Sequence, residues 1–568
     1  MRGYEDNTAF LGEWGPFQQT VFFLLCASTI PNGFSAFSII FLGDSPPHHC
    51  FIPDSGNLSE AWRKAIIPIE VVNGQEEESK CSRYRLDVVR NLSALGYIPG
   101  LDVNLTGVEQ ECCVDGWSYS KDIYQSTIVT EFDLVCNDKW KQPFTSSVYF
   151  LGVLCGSFFS GQLSDRFGRK PVLFVTMAVQ TLFTFVQVFS QSWEMFSVLF
   201  FIVGLGQISN YVAAFVLGTE ILTATVRVLY VTLGVCLFFA FGYMMLPLLA
   251  FFIRDWRSLL LVMSVPGLVY IPLWWFIPES PRWLLSQGRG EEAEAILRDA
   301  ARRNRVTAPE VIFEESEGEE KPKPEEHHSP LDLLKTSNIR KMTLILALVW
   351  FTLSMGYFAI SLNTSRLHGD PYVNCFISAA IEVPAYVISW LFLRYLPRRI
   401  SASASMLLGG GALYFIQLVP PSLPSLSIAL EMLGKFGMAI GTALMYAYTG
   451  ELYPTVIRNT ALGSCAMISR VGSILAPYIM TLSTYYKYLP YILLGSLLVL
   501  SAMAIPLLPE SFGHPLPETI KQMHKQECGL WRSGNAFSGV MNHASPSGSP
   551  TDESGFGGCQ ENATNPNA

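Results

Sequence analysis

The stretch Glu220-Ile-Leu-Thr-Ala-Thr-Val-Arg227 returns later in the chain as Glu451-Leu-Tyr-Pro-Thr-Val-Ile-Arg458. A second pair of matching pieces, Pro278-Glu-Ser280 and Pro509-Glu-Ser511, lies beyond them. The differences 451−220, 458−227 and 509−278 are all 231, so the three pieces share one offset. One offset across separate motifs indicates two homologous halves, each ending at its Pro-Glu-Ser.

The composition places these halves in a lipid bilayer. Of 568 residues, 50% are hydrophobic and 15% are charged, which is too few charges to cover a soluble globule of this size. Apolar runs near the roughly 20 residues that cross a bilayer core are Val21–Leu42, Phe174–Phe189, Met195–Leu217, Leu229–Ile253, Leu259–Ile277, Met342–Leu362 and Leu489–Leu508. By analogy between the halves, further spans fall near 143–163, 372–395, 401–419, 425–447 and 460–482. The sequence therefore predicts an all-α membrane protein with twelve transmembrane helices in two six-helix repeats.

The large loop between the first two spans, 43–141, has the features of an extracellular domain. It contains the sequons of Asn57, Asn91 and Asn104, which are acceptors for N-glycans. It also contains five cysteines, of which four could be bridged in an oxidising compartment. The disulfide candidates are Cys50, Cys81, Cys113 and Cys136, with Cys112 left open as an alternative to Cys113.

An extracellular first loop determines the side of every later segment. The next turn, 161–170, is then cytosolic, and its Arg and Lys residues obey the positive-inside rule. The predicted organisation is a cytosolic N-terminus at 1–20, a first transmembrane helix at 21–42, an extracellular glycosylated and disulfide-bearing loop at 43–141, transmembrane helices 2–6 at 142–278, a cytosolic helical loop at 279–340, transmembrane helices 7–12 at 341–509 and a cytosolic, largely disordered tail at 510–568.

The turn Gly161-Gln-Leu-Ser-Asp165-Arg166-Phe-Gly168-Arg169-Lys170 resembles the signature of the major facilitator superfamily. Three further pieces resemble its organic ion transporters: Phe10–Phe17, Ser126–Glu131 and Pro278–Trp283. Four others resemble the novel organic cation/carnitine transporter subfamily: Ile30–Gly33, Gly206–Val212, Gly450–Thr455 and Ser469–Ser473. The resemblance covers roughly residues 1–520 and implies the major facilitator fold.

The resemblance also implies a function. The expected protein is a multi-pass plasma-membrane secondary transporter with both termini cytosolic. It takes up trimethylammonium carboxylates, carnitine and/or ergothioneine, coupled to sodium, and moves organic cations by alternating access. The alternative is a sodium-independent, polyspecific organic cation transporter or exchanger. The expected partners are the small zwitterion or organic cation, the coupling ion sodium and the lipid bilayer, with no other cofactor or metal and no nucleic acid.

Two departures from the family pattern bear on partners. Thr223-Ala-Thr225 supplies neither the second Gly nor the Lys of a phosphate-binding loop, so ATP binding is not expected. The chain ends Asn-Pro-Asn-Ala and lacks the hydrophobic terminus that relatives offer to scaffold domains, which argues against binding of such a domain.

Arg470 is the first candidate for substrate binding, because an ionised guanidinium near the middle of a span needs a wet cavity or a counter-charge. Its planar fork suits a carboxylate, and resemblance to relatives with carboxylate substrates favours that role. The alternative is a structural ion pair with Glu382 or Glu431.

A trimethylammonium group is held by aromatic faces, since it donates no ordinary hydrogen bond. The aromatic candidates are Phe239, Trp350, Tyr357, Tyr446 and Tyr448, and Gln180 is a polar candidate beside them. For each ring alone, the alternative is ordinary packing against lipid or neighbouring helices.

Sodium prefers oxygen ligands, and uncharged polar residues occur inside the first half. The candidates are Asn32, Asn210, Tyr211 and Gln207. The alternative is interhelical hydrogen bonding, worth only about 0.6 kcal/mol on average in a bilayer.

Charges recur at the ends of the spans on the predicted cytosolic side. We interpret them as a gate in which Glu220 with Arg227, and Glu451 with Arg458, latch the halves while the cavity faces outward. The alternative is charges that are merely solvated at helix ends. The complete gate set is Asp165, Arg166, Arg169, Glu220, Arg227, Glu279, Arg398, Glu451, Arg458 and Glu510.

Other classes of protein fit the sequence poorly. A channel has no reason for duplicated gate charges. The sequence shows no His/Cys metal spacing, nucleophile elbow or phosphate loop, so an enzyme is not expected. A receptor or adhesion role for 43–141 could exist beside transport.

Overall fold

The structure, a computed structural model, describes residues 2–53, 55–313 and 330–513. Part of the predicted helical loop, 314–329, and the predicted tail after 513 lie outside these residues. In the described part, twelve helices are long and apolar enough to cross a membrane, as the sequence predicts. They are α1 (Pro16–Leu42), α2 (Cys136–Phe167), α3 (Arg169–Gln187), α4 (Trp193–Ile221), α5 (Ala224–Phe252), α6 (Trp256–Trp275), α7 (Ser337–Leu362), α8 (Pro371–Tyr395), α9 (Arg398–Leu418), α10 (Pro424–Leu452), α11 (Ile457–Thr484) and α12 (Leu489–Leu507).

The first helix begins at Pro16, ahead of the apolar run that starts at Val21. Proline suits the first helical position, and the Gly15 backbone N–H donates to Gln18 Oε1 (3.1 Å), which caps the helix. An apolar run does not locate a helix start that precedes it. A 3₁₀ turn opens α2 at Cys136, and its α-helical part begins at Lys141, next to the predicted start at 142. Helix ends do not give membrane boundaries, so the limits predicted for the spans stay predictions.

The loop domain between α1 and α2 is a small disulfide-bonded unit. Cys50 pairs with Cys113 and Cys81 with Cys136, while Cys112 keeps an exposed free thiol. Its strands form three antiparallel pairs, which are His48–Cys50 with Trp117–Tyr119, Ile69–Val72 with Gln75–Glu78, and Ser82–Tyr84 with Gln110–Cys112. Asn57, Asn91 and Asn104 are all exposed; their glycosylation stays a prediction.

We call the side of the membrane that carries this domain the loop face and the other side the opposite face. The two halves meet mainly through α2 with α11 and α5 with α8. Near the loop face, Ser147 Oγ donates to the Ile474 carbonyl (2.7 Å), and the rings of Phe41 and Tyr372 stack at 5.2 Å. On the opposite face, Gly161 and Gly463 each have open space where a side chain would begin. The halves are therefore joined at the loop face.

Short helices cover the opposite face of the first half. The helical loop predicted at 279–340 begins with two helices, Pro281–Ser286 and Gly290–Asn304, and Gly288 adopts a positive φ of 75° between them. Asn304 attaches the second helix to the start of α1: its Oδ1 accepts the Phe17 N–H (2.9 Å) and its Nδ2 donates to the Leu11 carbonyl (3.1 Å).

Candidate functional site

A cavity of about 210 Å³ lies between the two halves. Six of the twelve helices supply most of its wall, and aromatic side chains dominate that wall. The lining includes Tyr149, Phe150, Gln207, Tyr211, Cys236, Phe239, Trp350, Ser354, Tyr357, Phe358, Tyr386, Thr442, Tyr446, Ser469 and Arg470. A largely apolar cavity with a few convergent polar groups is typical of a small-molecule site.

Arg470 provides the cationic group of the cavity wall. Its Nε is buried and has no hydrogen-bond partner among the described residues. The proposed alternatives for its partner are wrong, because Glu382 pairs with Lys435 and Glu431 accepts from Asn363 Nδ2 (3.3 Å) and Tyr491 OH (3.0 Å). The guanidinium is therefore available to an anionic group in the cavity.

Four of the five aromatic candidates line the cavity, namely Phe239, Trp350, Tyr357 and Tyr446. The rings of Trp350 and Tyr446 meet edge to face at 4.5 Å, and the Trp350 indole N–H donates to Thr449 Oγ1 (3.1 Å). These contacts fix the orientation of the indole face toward the cavity.

Two substrate candidates are wrong. The Tyr448 hydroxyl donates to the Pro509 carbonyl (2.6 Å) near the opposite face, two residues along the helix from Tyr446 and so on a different side of it. Gln180 is buried in the first half, where its Nε2 donates to Ser35 Oγ (3.0 Å). The sequence analysis missed Tyr149, Phe150, Phe358 and Tyr386, because an aromatic residue in a span does not reveal which way its ring points.

The sodium candidates separate into two groups. Gln207 and Tyr211 belong to the cavity wall, whereas Asn32 and Asn210 lie in the core of the first half and bond to each other (Nδ2 to Oδ1, 3.1 Å). Asn210 also donates to the Leu173 carbonyl (3.0 Å). The four candidates therefore do not lie together, and Gln180 joins the buried group; a sodium role for any of them stays a prediction.

Two oxygens of the buried polar group have no partner. Asn32 Oδ1 and Gln180 Oε1 are both buried and unpaired within the described residues. A buried amide oxygen without a hydrogen bond costs about 1–3 kcal/mol. Ser28 and Ser38, on either side of Asn32, keep helical φ and ψ, so α1 continues past this group. Unpaired oxygens this deep in a membrane protein fit a bound cation.

A charge cluster on the opposite face holds the first half together. Arg169 donates to both oxygens of Glu220 (Nη2 to Oε1, 2.9 Å) and pairs with Asp165 (3.0 Å). Glu279 accepts the backbone N–H groups of Arg169 and Lys170 (both 3.2 Å) and so caps the start of α3. Burial raises the pKa of Glu279, while those N–H donors oppose the shift.

The second half repeats the arginine–glutamate pair and the glutamate cap of this cluster. Arg398 donates to Glu451 (Nε to Oε2, 3.1 Å), and Glu510 accepts the N–H of Arg398 (3.0 Å) and of Arg399 (3.2 Å) at the start of α9. Each Pro-Glu-Ser glutamate is thus a cap for a helix of its own half.

The predicted latch pairs do not form in this conformation. Arg227 bonds to Glu5 (3.4 Å) and the Leu222 carbonyl (3.2 Å), and Arg458 bonds to the Tyr453 carbonyl (3.3 Å). The partners that the structure shows for the predicted gate charges all belong to the same half. A latch between the halves in an outward-facing state stays a prediction. Arg166 is exposed beside the Phe167 ring.

Comparisons with known proteins agree with this geometry. Residues 104–523 match the family model described as Sugar (and other) transporter. The organic cation/carnitine transporter 2 of Mus musculus is 59% identical over 525 residues, which cover 92% of this chain and 94% of the relative. The protein of that name from Homo sapiens is 58% identical over 524 residues, with the same coverage.

The chain belongs to the organic cation/carnitine transporter subfamily of the major facilitator superfamily. A further relative, solute carrier family 22 member 4 of Mus musculus, is 57% identical and covers 92% of this chain and 95% of the relative. Members of this family are transporters and not enzymes.

The solved structures confirm the predicted fold. The partially occluded inward open conformation of the xylose transporter XylE from E. coli matches with a TM-score of 0.56 and 14% identity, covering 88% of this chain and 100% of that one. For an organic cation/carnitine transporter, the cavity between the halves and the contacts at the loop face therefore describe one state of a membrane carrier.

Proposed function

We propose that the protein takes up trimethylammonium carboxylates, carnitine and/or ergothioneine, across the plasma membrane in a sodium-coupled manner, and that it also moves organic cations. Relatives at 57–59% identity named organic cation/carnitine transporter 2 and solute carrier family 22 member 4 support this substrate class. The first of these names mentions carnitine, and neither mentions ergothioneine.

The observation that carries the proposal is an arginine inside an aromatic cavity for which the described residues provide no counter-charge. Arg470 and the rings of Phe239, Trp350 and Tyr357 line the same space. A guanidinium binds a carboxylate through two parallel hydrogen bonds. Aromatic faces attract a quaternary ammonium by about 0.5–2 kcal/mol. A zwitterion that carries both groups can bind Arg470 through its carboxylate and the aromatic rings through its trimethylammonium group.

Sodium coupling is supported by the two unpaired oxygens, Asn32 Oδ1 and Gln180 Oε1. A cation held by them would be linked to the cavity through α4, which carries buried Asn210 and, one residue later, Tyr211 of the wall. This link gives a physical route by which the ion orders the substrate site.

We propose that the loop face is extracellular, because its sequons and disulfides suit that compartment. Both termini are then cytosolic. The contacts between the halves at the loop face correspond to an inward-facing carrier, and alternating access requires them to separate.

The alternative, a sodium-independent polyspecific organic cation transporter or exchanger, has one observation in its favour. Asn32 and Asn210 bond directly to each other, so that part of the polar group is satisfied without an ion.

Uptake of radiolabelled carnitine and ergothioneine, each with sodium and with N-methylglucamine replacing it, tests the proposal. We expect saturable uptake of at least one zwitterion that falls several-fold without sodium. Tetraethylammonium uptake, measured in parallel, should persist without sodium. Zwitterion uptake that is indifferent to sodium would support the alternative, and no uptake of either zwitterion would refute the carboxylate assignment.

A further inference from the structure

Lys435 lies in the middle of α10 with a fully buried side chain, and the site described above does not use it. Its Nζ donates to Ser378 Oγ (2.6 Å), to the Ser378 carbonyl (3.0 Å) and to Tyr243 OH (3.3 Å). It lies 3.4 Å from Glu382 Oε1, which is also fully buried. An ammonium at this depth is costly unless each of these partners is present.

The contacts of this ammonium cross the boundary between the halves. Ser378 and Glu382 belong to α8 of the second half, whereas Tyr243 belongs to α5 of the first. The ammonium also lies over the Tyr243 ring (4.5 Å to its centroid) and within 5.9 Å of the Phe37 ring of α1, and these two rings stack at 3.9 Å. One buried charge thus holds α5 and α8 together on the loop-face side of the cavity.

Glu382 connects the same charge to the substrate cavity. Its carboxylate accepts the hydroxyl of Tyr357, and that of Tyr386 at 3.3 Å. Both tyrosines line the cavity. One carboxylate therefore shares its charge between the ammonium that joins the halves and two hydroxyls at the cavity wall.

We propose that Lys435 is a positioning residue that couples an organic cation in the cavity to closure at the loop face, and this rests on the proposed substrate class. A cation against Tyr357 and Tyr386 is attracted by Glu382 and repels the Lys435 ammonium. Because buried charges interact strongly through a medium of low dielectric constant, the ammonium is less stable between the halves when the cation is bound. Cation binding then lowers the cost of separating α5 from α8.

Cys375 offers a reporter of that separation. It is fully buried in α8, one turn before Ser378. In a Cys112→Ser background, which removes the exposed thiol of the loop domain, a membrane-impermeant maleimide added at the loop face should modify Cys375 slowly. Peptide mass spectrometry measures the rate. Tetraethylammonium loaded on the opposite side should raise it several-fold.

Lys435→Met should raise the basal modification rate about tenfold, because the closed state loses its bridging charge. It should also remove the response to tetraethylammonium. Lys435→Arg, which keeps the charge, should restore both protection and response. Lys487→Met, a change at an exposed lysine in the loop before α12, is the matched control and should behave as the parent.

Tyr243→Phe keeps the ring and removes only the hydroxyl, so it tests the bridge if both Lys435 variants fail to reach the surface. We expect a two- to threefold rise in its basal rate. If Lys435→Met reaches the surface and its Cys375 modification rate is unchanged, the inference is overturned. If neither Lys435 variant reaches the surface, an unchanged rate in Tyr243→Phe overturns it. A parent protein whose uptake tetraethylammonium does not inhibit would instead overturn the proposed substrate class.

Discussion

Arg470 allows the most direct test at the scale of single residues. Arg470→Lys keeps the positive charge and loses the planar fork. Since a hydrogen bond to a charged group is worth about 1.5–3 kcal/mol, we expect KM for the zwitterion to rise about tenfold or more. Concentration-dependent uptake, normalised to surface protein, measures it.

Tetraethylammonium uptake is the control for this variant, because that cation has no carboxylate to lose. We expect it to change less than twofold. An equal loss for both substrates would mean that Arg470 supports the helix arrangement and not the carboxylate.

The unpaired oxygens make a second prediction at this scale. Asn32→Ala and Gln180→Ala should each weaken the apparent affinity for sodium about fivefold, equivalent to about 1 kcal/mol. Sodium titration of zwitterion uptake measures this. Gln187→Ala is the matched control: it changes a buried glutamine of α3 whose Nε2 bonds to the Phe196 carbonyl (3.5 Å), and it should leave the titration midpoint unchanged. A midpoint that stays at the parental value in both Asn32→Ala and Gln180→Ala would exclude a sodium site here.

Residue types in a span are readable from sequence, but their partners are not. Arg470 is conspicuous because a guanidinium in a membrane helix needs a reason, and Lys435 carried the same signal and was missed. Gln180 and Tyr448 were placed in the wrong surroundings, because the rotation of each helix depends on its packing against other helices. No pattern within one helix contains that information.

At the scale of elements, the two repeated charge clusters each hold the end of one helix against another. Glu451→Gln leaves the Arg398 guanidinium, 14% exposed, without its charge partner. We expect a loss of about 1–3 kcal/mol in stability, seen as a lower Tm in detergent and less protein at the surface. Glu220→Gln, the same change in the first half, should behave alike.

Turnover per surface molecule separates this role from a latch between the halves. Normal turnover per surface molecule, with less protein at the surface, would support a role of these charges in stabilising each half. Full surface delivery with slow turnover would instead restore the latch hypothesis.

The order and type of these elements were predictable, because hydropathy and a single offset specify twelve spans in two sets. Their ends were less so: α1 starts at Pro16, and the polar run Gln18–Thr20 separates that start from the apolar run. The pairing within each charge cluster also escaped prediction. Repetition of the charges indicates that they have a role but does not show which of them pair. Gly168, whose φ of 100° turns the chain, lets the backbone at the start of α3 donate to Glu279.

At the scale of the whole molecule, transport requires the loop-face contacts to open. Ser147 and Ile474 approach each other across the halves, with Ser147 Oγ 2.7 Å from the Ile474 carbonyl. In a Cys112→Ser background, the double variant Ser147→Cys/Ile474→Cys should cross-link under mild oxidation and lose nearly all uptake. A reducing agent should restore it. Each single variant is a control and should keep its uptake under oxidation. Full uptake by a cross-linked carrier would show that this contact does not separate during the cycle.

The closed loop face also bears on the search for inhibitors. On the orientation proposed above, a compound fitted to the cavity as it stands complements a form that is open toward the cytosol, and from outside the cell it reaches that form only through the membrane. Screens against this geometry would therefore favour membrane-permeant molecules that act from within. Blockers that act from outside must be designed against the other arrangement, in which Phe41 and Tyr372 no longer stack.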